Sequence, residues 1–324
     1  MAIRPIPLNF QTIYADLLQS IGLTETEHGS VSIRKIKGKD YVYVTTKSGA
    51  TRQQRSLGPA SAPKTQARAA EIRRAANHAR VRRTTVSVLK KAYIPGPSLP
   101  LGKVLEAIAN AGLFKQGVVL VGTAAYQTYP CLVGAYLPSG ALMTNDADLL
   151  VSSFAAKNEP QDLEKILQRA DPTFKAHMSR EDKLPKVFKA DNNFQVDVLT
   201  KYGRGRKSPI LIDDLACSAE ALKFMEYLCE ESTEAIALYG TGVLVSVPPP
   251  IRYAIHKLLI AQERRSQSPK RAKDLSQARD LIDVFHETDS TAFEEALEGA
   301  IARGPSWKKN INASLREINA KPQA

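Results

Sequence analysis

At 324 residues, with 43% hydrophobic and 24% charged residues, the chain has room for one large core or two smaller ones and the make-up of an ordinary globular protein. Its net charge of +12 is unusual and points to a polyanionic partner, nucleic acid ahead of a membrane surface, with solubility as the plainer alternative. There is no run of about 18 apolar residues and no charged-then-apolar leader at Met1. A membrane role is therefore not expected, and a cytoplasmic bacterial protein is. Cys131, Cys217 and Cys229 are odd in number and lack CxxC spacing, which argues for buried thiols and against a disulfide framework or zinc site.

Residues 8–21 place Phe10, Ile13, Tyr14, Leu17, Leu18 and Ile21 on one helical stripe, with Gly22 as its stop. From Val31 to Leu57 the sequence alternates on either side of Lys37-Gly38-Lys39-Asp40, a hairpin turn by composition. Residues 1–60 are thus expected to form a helix-plus-hairpin module. Residues 61–95 read as a basic helical linker: from Lys64 to Lys91 nine Lys or Arg accompany the single acid Glu71 among helix-favouring alanines. A solvated rod and a backbone-tracking arm are both open readings, since no aromatic residue interrupts the run to stack a base. The Pro/Gly-rich residues 94–102 mark a boundary, and residues 96–250 are expected to form the core of the protein.

Within that core, residues 117–121 (GVVLV) read as a strand covered on both faces. Gly122 ends it, Thr123 is a candidate N-cap, and 124–129 begin a helix that Pro130 disturbs. A helix start at the end of a strand suits a phosphate, with Gly122 permitting close approach and Thr123 offering a hydroxyl. Downstream, Thr144 to Val151 alternates so that Asp146 and Asp148 share one face of a strand. Two such carboxylates repel unless a cation intervenes, and magnesium is the natural candidate. Asp197 is a third acid on an apolar strand pattern, where an unpaired carboxylate would be costly to bury. Three acids on two strands plus a phosphate-binding turn suggest two-metal phosphoryl transfer.

Residues 160–170 read as an amphipathic helix with Pro at its start, 177–188 as a strand and loop, 216–229 as a helix, and 238–247 as a strand around Tyr239-Gly240-Thr241-Gly242. Lys201 to Lys207, including Arg204, is a glycine-laced basic loop directly after the third acidic strand, a candidate triphosphate or acceptor clamp. Residues 251–324 read as a helical domain with helices near 252–265, 271–286 and 291–303. His256 is read as a satisfied structural histidine. Walker-type, HExxH and GxSxG motifs are absent from the sequence.

The order Val121-Gly122-Thr123, Asp146-Ala147-Asp148, then Asp197 resembles the signature of the nucleotidyltransferase fold shared with DNA polymerase β. The spacing from Gly122 to Gly134, with Thr144, Asp146, Asp148 and Leu149, the phrase from Pro248 to Leu258, Lys273-Asp274 and Arg303 to Trp307 resemble a family of stand-alone bacterial proteins of that fold. The resemblance covers roughly residues 100–310. It implies an α/β (α+β) fold with a mixed sheet flanked by helices, and a helical domain packed over a nucleotide. Lys257, Lys270, Arg271 and Lys273 would then reach a γ-phosphate or an acceptor. It further implies that Asp146 and Asp148 bind two Mg2+ ions, that Asp197 completes the site and helps activate the attacking hydroxyl, and that an NTP lies on Gly122 and Thr123. Charge favours an RNA acceptor, tRNA among them. A scaffold that keeps the fold without chemistry, a small-molecule or protein modifier, and a toxin or defence role with an antitoxin partner are the alternatives.

Overall fold

The computed structural model describes residues 3–22, 29–48, 51–141, 144–152, 160–178, 183–202 and 208–319. A short strand β1 (Arg4–Pro5) leads into helix α1 (Leu8–Gly22), whose apolar stripe is the one expected. The hairpin expected next gains a third strand. β2 (Ser30–Ile36), β3 (Lys39–Ser48) and β4 (Thr51–Pro59) form an antiparallel meander with β3 in the middle. Lys37 and Gly38 turn its first corner with φ of 48° and 78°, the left-handed pair that matches strand twist in a two-residue turn.

Helix α2 (Pro63–Lys91) is no bare rod. Thr65, Ala69, Ile72, Ala75, Ala79, Arg82, Val86 and Leu89 recur at three- and four-residue spacing and are buried. Its first half covers the meander, and Val86 and Leu89 join Tyr14 and Leu17 of α1 in a second core. The exposed faces keep the cations.

The central sheet runs β11 (Ile210–Ile212), β12 (Cys217–Leu222), β10 (Gln195–Lys201), β7 (Asp146–Val151), β5 (Val118–Val121). β9 (Val187–Lys189) pairs with the first half of β10, and β8 (Lys175–His177) pairs with β9. β7 and β10 are parallel, β5 and β7 antiparallel. As expected for a strand covered on both sides, all four residues of β5 are buried. Val118 and Leu120 face the main core with α3 (Leu99–Asn110), while Val119 and Val121 pack with Leu150, Met225 and Leu228.

Two expectations are corrected here. Residues 216–229 are not one helix: Cys217–Leu222 is the strand β12, parallel to β10, and only Met225–Cys229 (α7) is helical. Its Ala, Glu and Leu favour a helix, but an open strand edge on β10 outweighs so weak a preference. Residues 238–247 are not one strand either. β13 (Thr233–Ala237) and β14 (Val243–Val247) form a hairpin in which Leu238 to Gly242 is the connection, with Gly240 and Gly242 both left-handed. This hairpin joins the two cores: Ala235 and Val245 face the main one, and Ile236 and Leu238 face α1 and α2. Tyr14 accepts a hydrogen bond at its hydroxyl from Ile236 N at 2.9 Å across that seam.

Short helices α4 (Gly122–Tyr126) and α5 (Tyr129–Val133) follow β5, β6 (Ala135–Tyr136) pairs with β1, and α6 (Leu163–Ala170) packs on α3. The C-terminal part is helical as expected, in α8 (Pro250–Glu263), α9 (Pro269–Thr288), α10 (Ser290–Ile301) and α11 (Pro305–Asn319). It is tied to the sheet domain at Glu230, which accepts hydrogen bonds from Arg252 and from both terminal nitrogens of Arg303. Those guanidinium groups hold the Glu230 carboxyl down at about 2. Arg303 also lies over the rings of Tyr227 and Trp307.

Candidate active site

Register decides where the acids meet. Asp197 is directly opposite Asp148 in the parallel ladder, and Val121 is directly opposite Asp148 in the antiparallel one. Asp146, Asp148 and Asp197 therefore share one sheet face, while Ala147, Leu149, Val196 and Val198 point into the core from the other. Adjacent strands lie about 4.8 Å apart, so the carboxylates form a row within mutual reach.

The row sits against the turn that leaves β5. Gly122 has φ of +66°, and a Cβ there would lie 2.2 Å from Asp148 Oδ2. Only glycine lets the carboxylate settle on this backbone. The expected N-cap is two residues off: the helix begins at Gly122, with Val121 in the flanking position and no side chain capping it. Thr123 is buried within the first turn. From the helical side, the Tyr253 hydroxyl lies 2.9 Å from both Gly122 O and Gln277 Oε1, anchoring the turn to α8 and α9. Behind it Tyr126 stacks on Tyr253 and Tyr129 meets both rings edge to face, and the Tyr126 hydroxyl donates to Asp280 Oδ2 at 2.7 Å.

Each acid has its own surroundings. Thr144 donates from its hydroxyl to Asp146 Oδ1. Gln195 Nε2 donates to both oxygens of Asp197, at 2.7 and 2.8 Å. The Asp148 carboxyl is pushed up to about 6 by burial and by its neighbours Asp146 and Asp197, against the pull of Lys257 and Lys270. Asp197 is likewise raised by burial, opposed by the Gln195 hydrogen bond and by Lys270 and Lys189.

The cations around this row are not all those the sequence suggested. Lys257 is present but held: it is buried and donates to Asp274 Oδ1 at 2.6 Å, and Arg264 takes the other oxygen at 2.5 Å. Asp274 thus pairs with two basic residues. Lys270 and Lys273 of α9 face the acids, and burial pushes the Lys273 ammonium down. Lys189, which sequence reading overlooked, enters from β9 beside Gln195. Of the clamp expected after Asp197, Lys201 is displaced. Lys201 is four residues further along β10, about 13 Å at strand rise, and the apolar contact of α7 with Leu150 and Leu199 lies between. Arg204 and the rest of residues 203–207 lie outside the described residues. His256 is buried as expected but not satisfied: neither ring nitrogen has a partner among the described residues. Burial and adjacent Lys257 push it down to about 3, so it is neutral near pH 7.

Three carboxylates in one row, with Asp148 and Asp197 each raised by burial and by a neighbouring acid, are a hard-oxygen set that a divalent cation would relieve. They lie in a row along two strands; among the described residues no group of three or more His, Cys, Asp or Glu encloses a single ion position.

A mixed sheet bearing acids on neighbouring strands beside a glycine turn, capped by a helical domain, is the frame of a nucleotidyltransferase-fold protein. The chain belongs to the nucleotidyltransferase family, whose profile matches residues 100–302. The crystal structure of an antigenic nucleotidyltransferase-like protein from Paracoccidioides brasiliensis is similar at 18% identity over 68% of this chain and 95% of that one, with a TM-score of 0.32, too slight a likeness to argue from. No curated protein matches. Among the described residues no helix is long and apolar enough to cross a membrane.

Proposed function

We propose that the protein is a magnesium-dependent nucleotidyltransferase that moves a nucleoside monophosphate from an NTP to an acceptor hydroxyl, with RNA the favoured acceptor. Family membership implies the NTP. The observation that carries the rest is the register of Asp197 on Asp148, which lines three acids along one face at the Gly122 turn. Asp146 and Asp148, with Asp197 completing the site, would hold two Mg2+ ions along the row and not one enclosed ion, and these would supply charge neutralisation for the entering and leaving oxygens. The chain's own residues do the positioning. Thr144 and Gln195 fix two of the three carboxylates, and Gly122 brings backbone to within contact of the third. Lys189, Lys270 and Lys273 supply positive charge over the row, where a triphosphate needs it. Lys257, locked to Asp274, contributes as a fixed charge, and Asp197 would help activate the attacking hydroxyl.

The test is incubation of the protein with each α-labelled NTP, Mg2+ and total RNA, beside Asp146→Asn. Label entering RNA only with the intact protein supports the reading. Wild-type transfer by a folded Asp146→Asn protein would sink the assignment of the acids. NTP binding without any labelled RNA, protein or small molecule would overturn the RNA acceptor.

A further inference from the structure

The positive charge of this chain is not spread over it. Between Gly29 and Lys91 there are sixteen Lys or Arg against two acids, Asp40 and Glu71, whereas residues 92–324 hold 28 of each sign. The domain that carries the acids is electrically balanced, and the N-terminal module holds the whole surplus. The same module has a sheet face whose side chains are exposed or half-exposed among the described residues. Val42 and Val44 of β3 turn inward beneath α2 and are buried, so Tyr41 and Tyr43 turn outward. Register puts Arg34 of β2 opposite Tyr41, and Ser32 and Ser56 on either side of Tyr43. The Arg34 guanidinium lies 5.5 Å from the Tyr43 ring centroid. Further along, Gln54 sits opposite Thr45 and exposed Arg52 opposite Lys47. The two half-exposed tyrosines are about 7 Å apart on the central strand.

We infer that the outer face of the β2–β3–β4 sheet is a binding platform for single-stranded RNA, with bases stacked on Tyr41 and Tyr43 and phosphates paired with Arg34 and Arg52. Flat rings spaced along a strand, with guanidinium groups beside them and no acid on the face, match a flexible polyanion with π-faces. A duplex offers no unstacked base to such rings. An acidic protein would use the charge and leave the tyrosines idle. The exposed cations of α2 lie on the other side of the meander and add field, not contact. The inference rests on RNA as the partner and is independent of chemistry at the acids.

The test is fluorescence anisotropy with a labelled single-stranded RNA of about 15 nucleotides, a length that spans such a platform. Intact full-length protein is compared with Tyr41→Ala/Tyr43→Ala, Tyr41→Phe/Tyr43→Phe, Arg34→Gln/Arg52→Gln and Asp146→Asn. The expected result is binding about 30-fold weaker or more for the alanine pair, retained by the phenylalanine pair and by Asp146→Asn. The arginine pair should lower the slope of log K on log salt by about 1.4. That pair serves as the readout should the alanine pair melt early. Unchanged affinity and salt slope in the arginine pair, equal affinity for duplex RNA, or equal competition by polyglutamate would each overturn the inference. Transfer assays decide the proposed reaction separately, because Asp146→Asn removes transfer and leaves this binding intact.

Discussion

Asp148 is the residue on which the site's electrostatics turn. Its carboxyl stands at about 6 in the metal-free protein against an ordinary 3.8, so between those values the folded state holds a proton that the unfolded state has lost. Stability therefore falls as pH rises through that window, by about 3 kcal/mol once pH exceeds 6. Asp148→Asn removes this cost. In the presence of a chelator its melting temperature should exceed that of the wild type at pH 7.5, and the gain should vanish as pH approaches 4. A gain that persists at pH 4 would show that the effect is not titration of this group. The same variant should lose nucleotide transfer by about 100-fold or more, since an acid that holds charge at the reacting centre is removed. A residue that destabilises the fold yet is required by the proposed chemistry would match the pattern expected of a working site.

At the scale of elements, the β5–α4 turn and the α8–α9 pair are what hold the row in place. Gly122→Ala would force a methyl group onto Asp148 Oδ2 in a left-handed backbone. A loss of about 1–3 kcal/mol in chemical denaturation is expected, together with loss of transfer. Tyr253→Phe removes the hydroxyl beside Gly122 O and should cost about 1 kcal/mol, with little change in far-UV circular dichroism. Lys257 and Asp274 form a pair whose side chains are 6% and 1% exposed. Lys257→Met leaves Asp274 with Arg264 alone and should cost about 3–5 kcal/mol. If Lys257→Met melted like the wild type, the lysine would have to be free of Asp274 and available to substrate. The strand β12 shows why propensity misled at this scale: its residues prefer a helix by a few tenths of a kcal/mol each, and pairing with β10 plus burial of Cys217 and Ala219 outweighs that.

Across the whole molecule, charge and chemistry are separated. The β2–β3–β4 meander packs on the first half of α2, while Val86 and Leu89 near the other end pack with α1 and the β13–β14 hairpin. From Thr65 to Val86 the helix spans about 32 Å. An acceptor held on the outer sheet face starts at the other end of that helix from the seam with the β13–β14 hairpin. Transfer to an RNA of several tens of nucleotides should therefore show a raised KM in Tyr41→Ala/Tyr43→Ala, and transfer to a trinucleotide should not. An equal effect on both substrates would mean that the substitutions act through the fold.

Much of this protein is written in local pattern. Period and composition suffice for α1, α2, β5, β7 and β10, because each buries a stripe or a face that the sequence must repeat. The acids were legible for a related reason: Asp146, Asp148 and Asp197 interrupt apolar strand patterns, where a carboxylate has no structural use. Lys189, Gln195 and Tyr253 carried no such mark; Gln195 could have been found two residues before Asp197 on the same strand face. Only register and packing decided the rest. Proximity in sequence put Lys201 next to Asp197, but strand rise carries it away and α7 fills the gap, while Lys270 arrives from a helix more than seventy residues downstream. A strand keeps its neighbours in line along its axis, so side chains converge on one point from different strands and helices. That convergence belongs to the tertiary fold and not to any segment of the sequence.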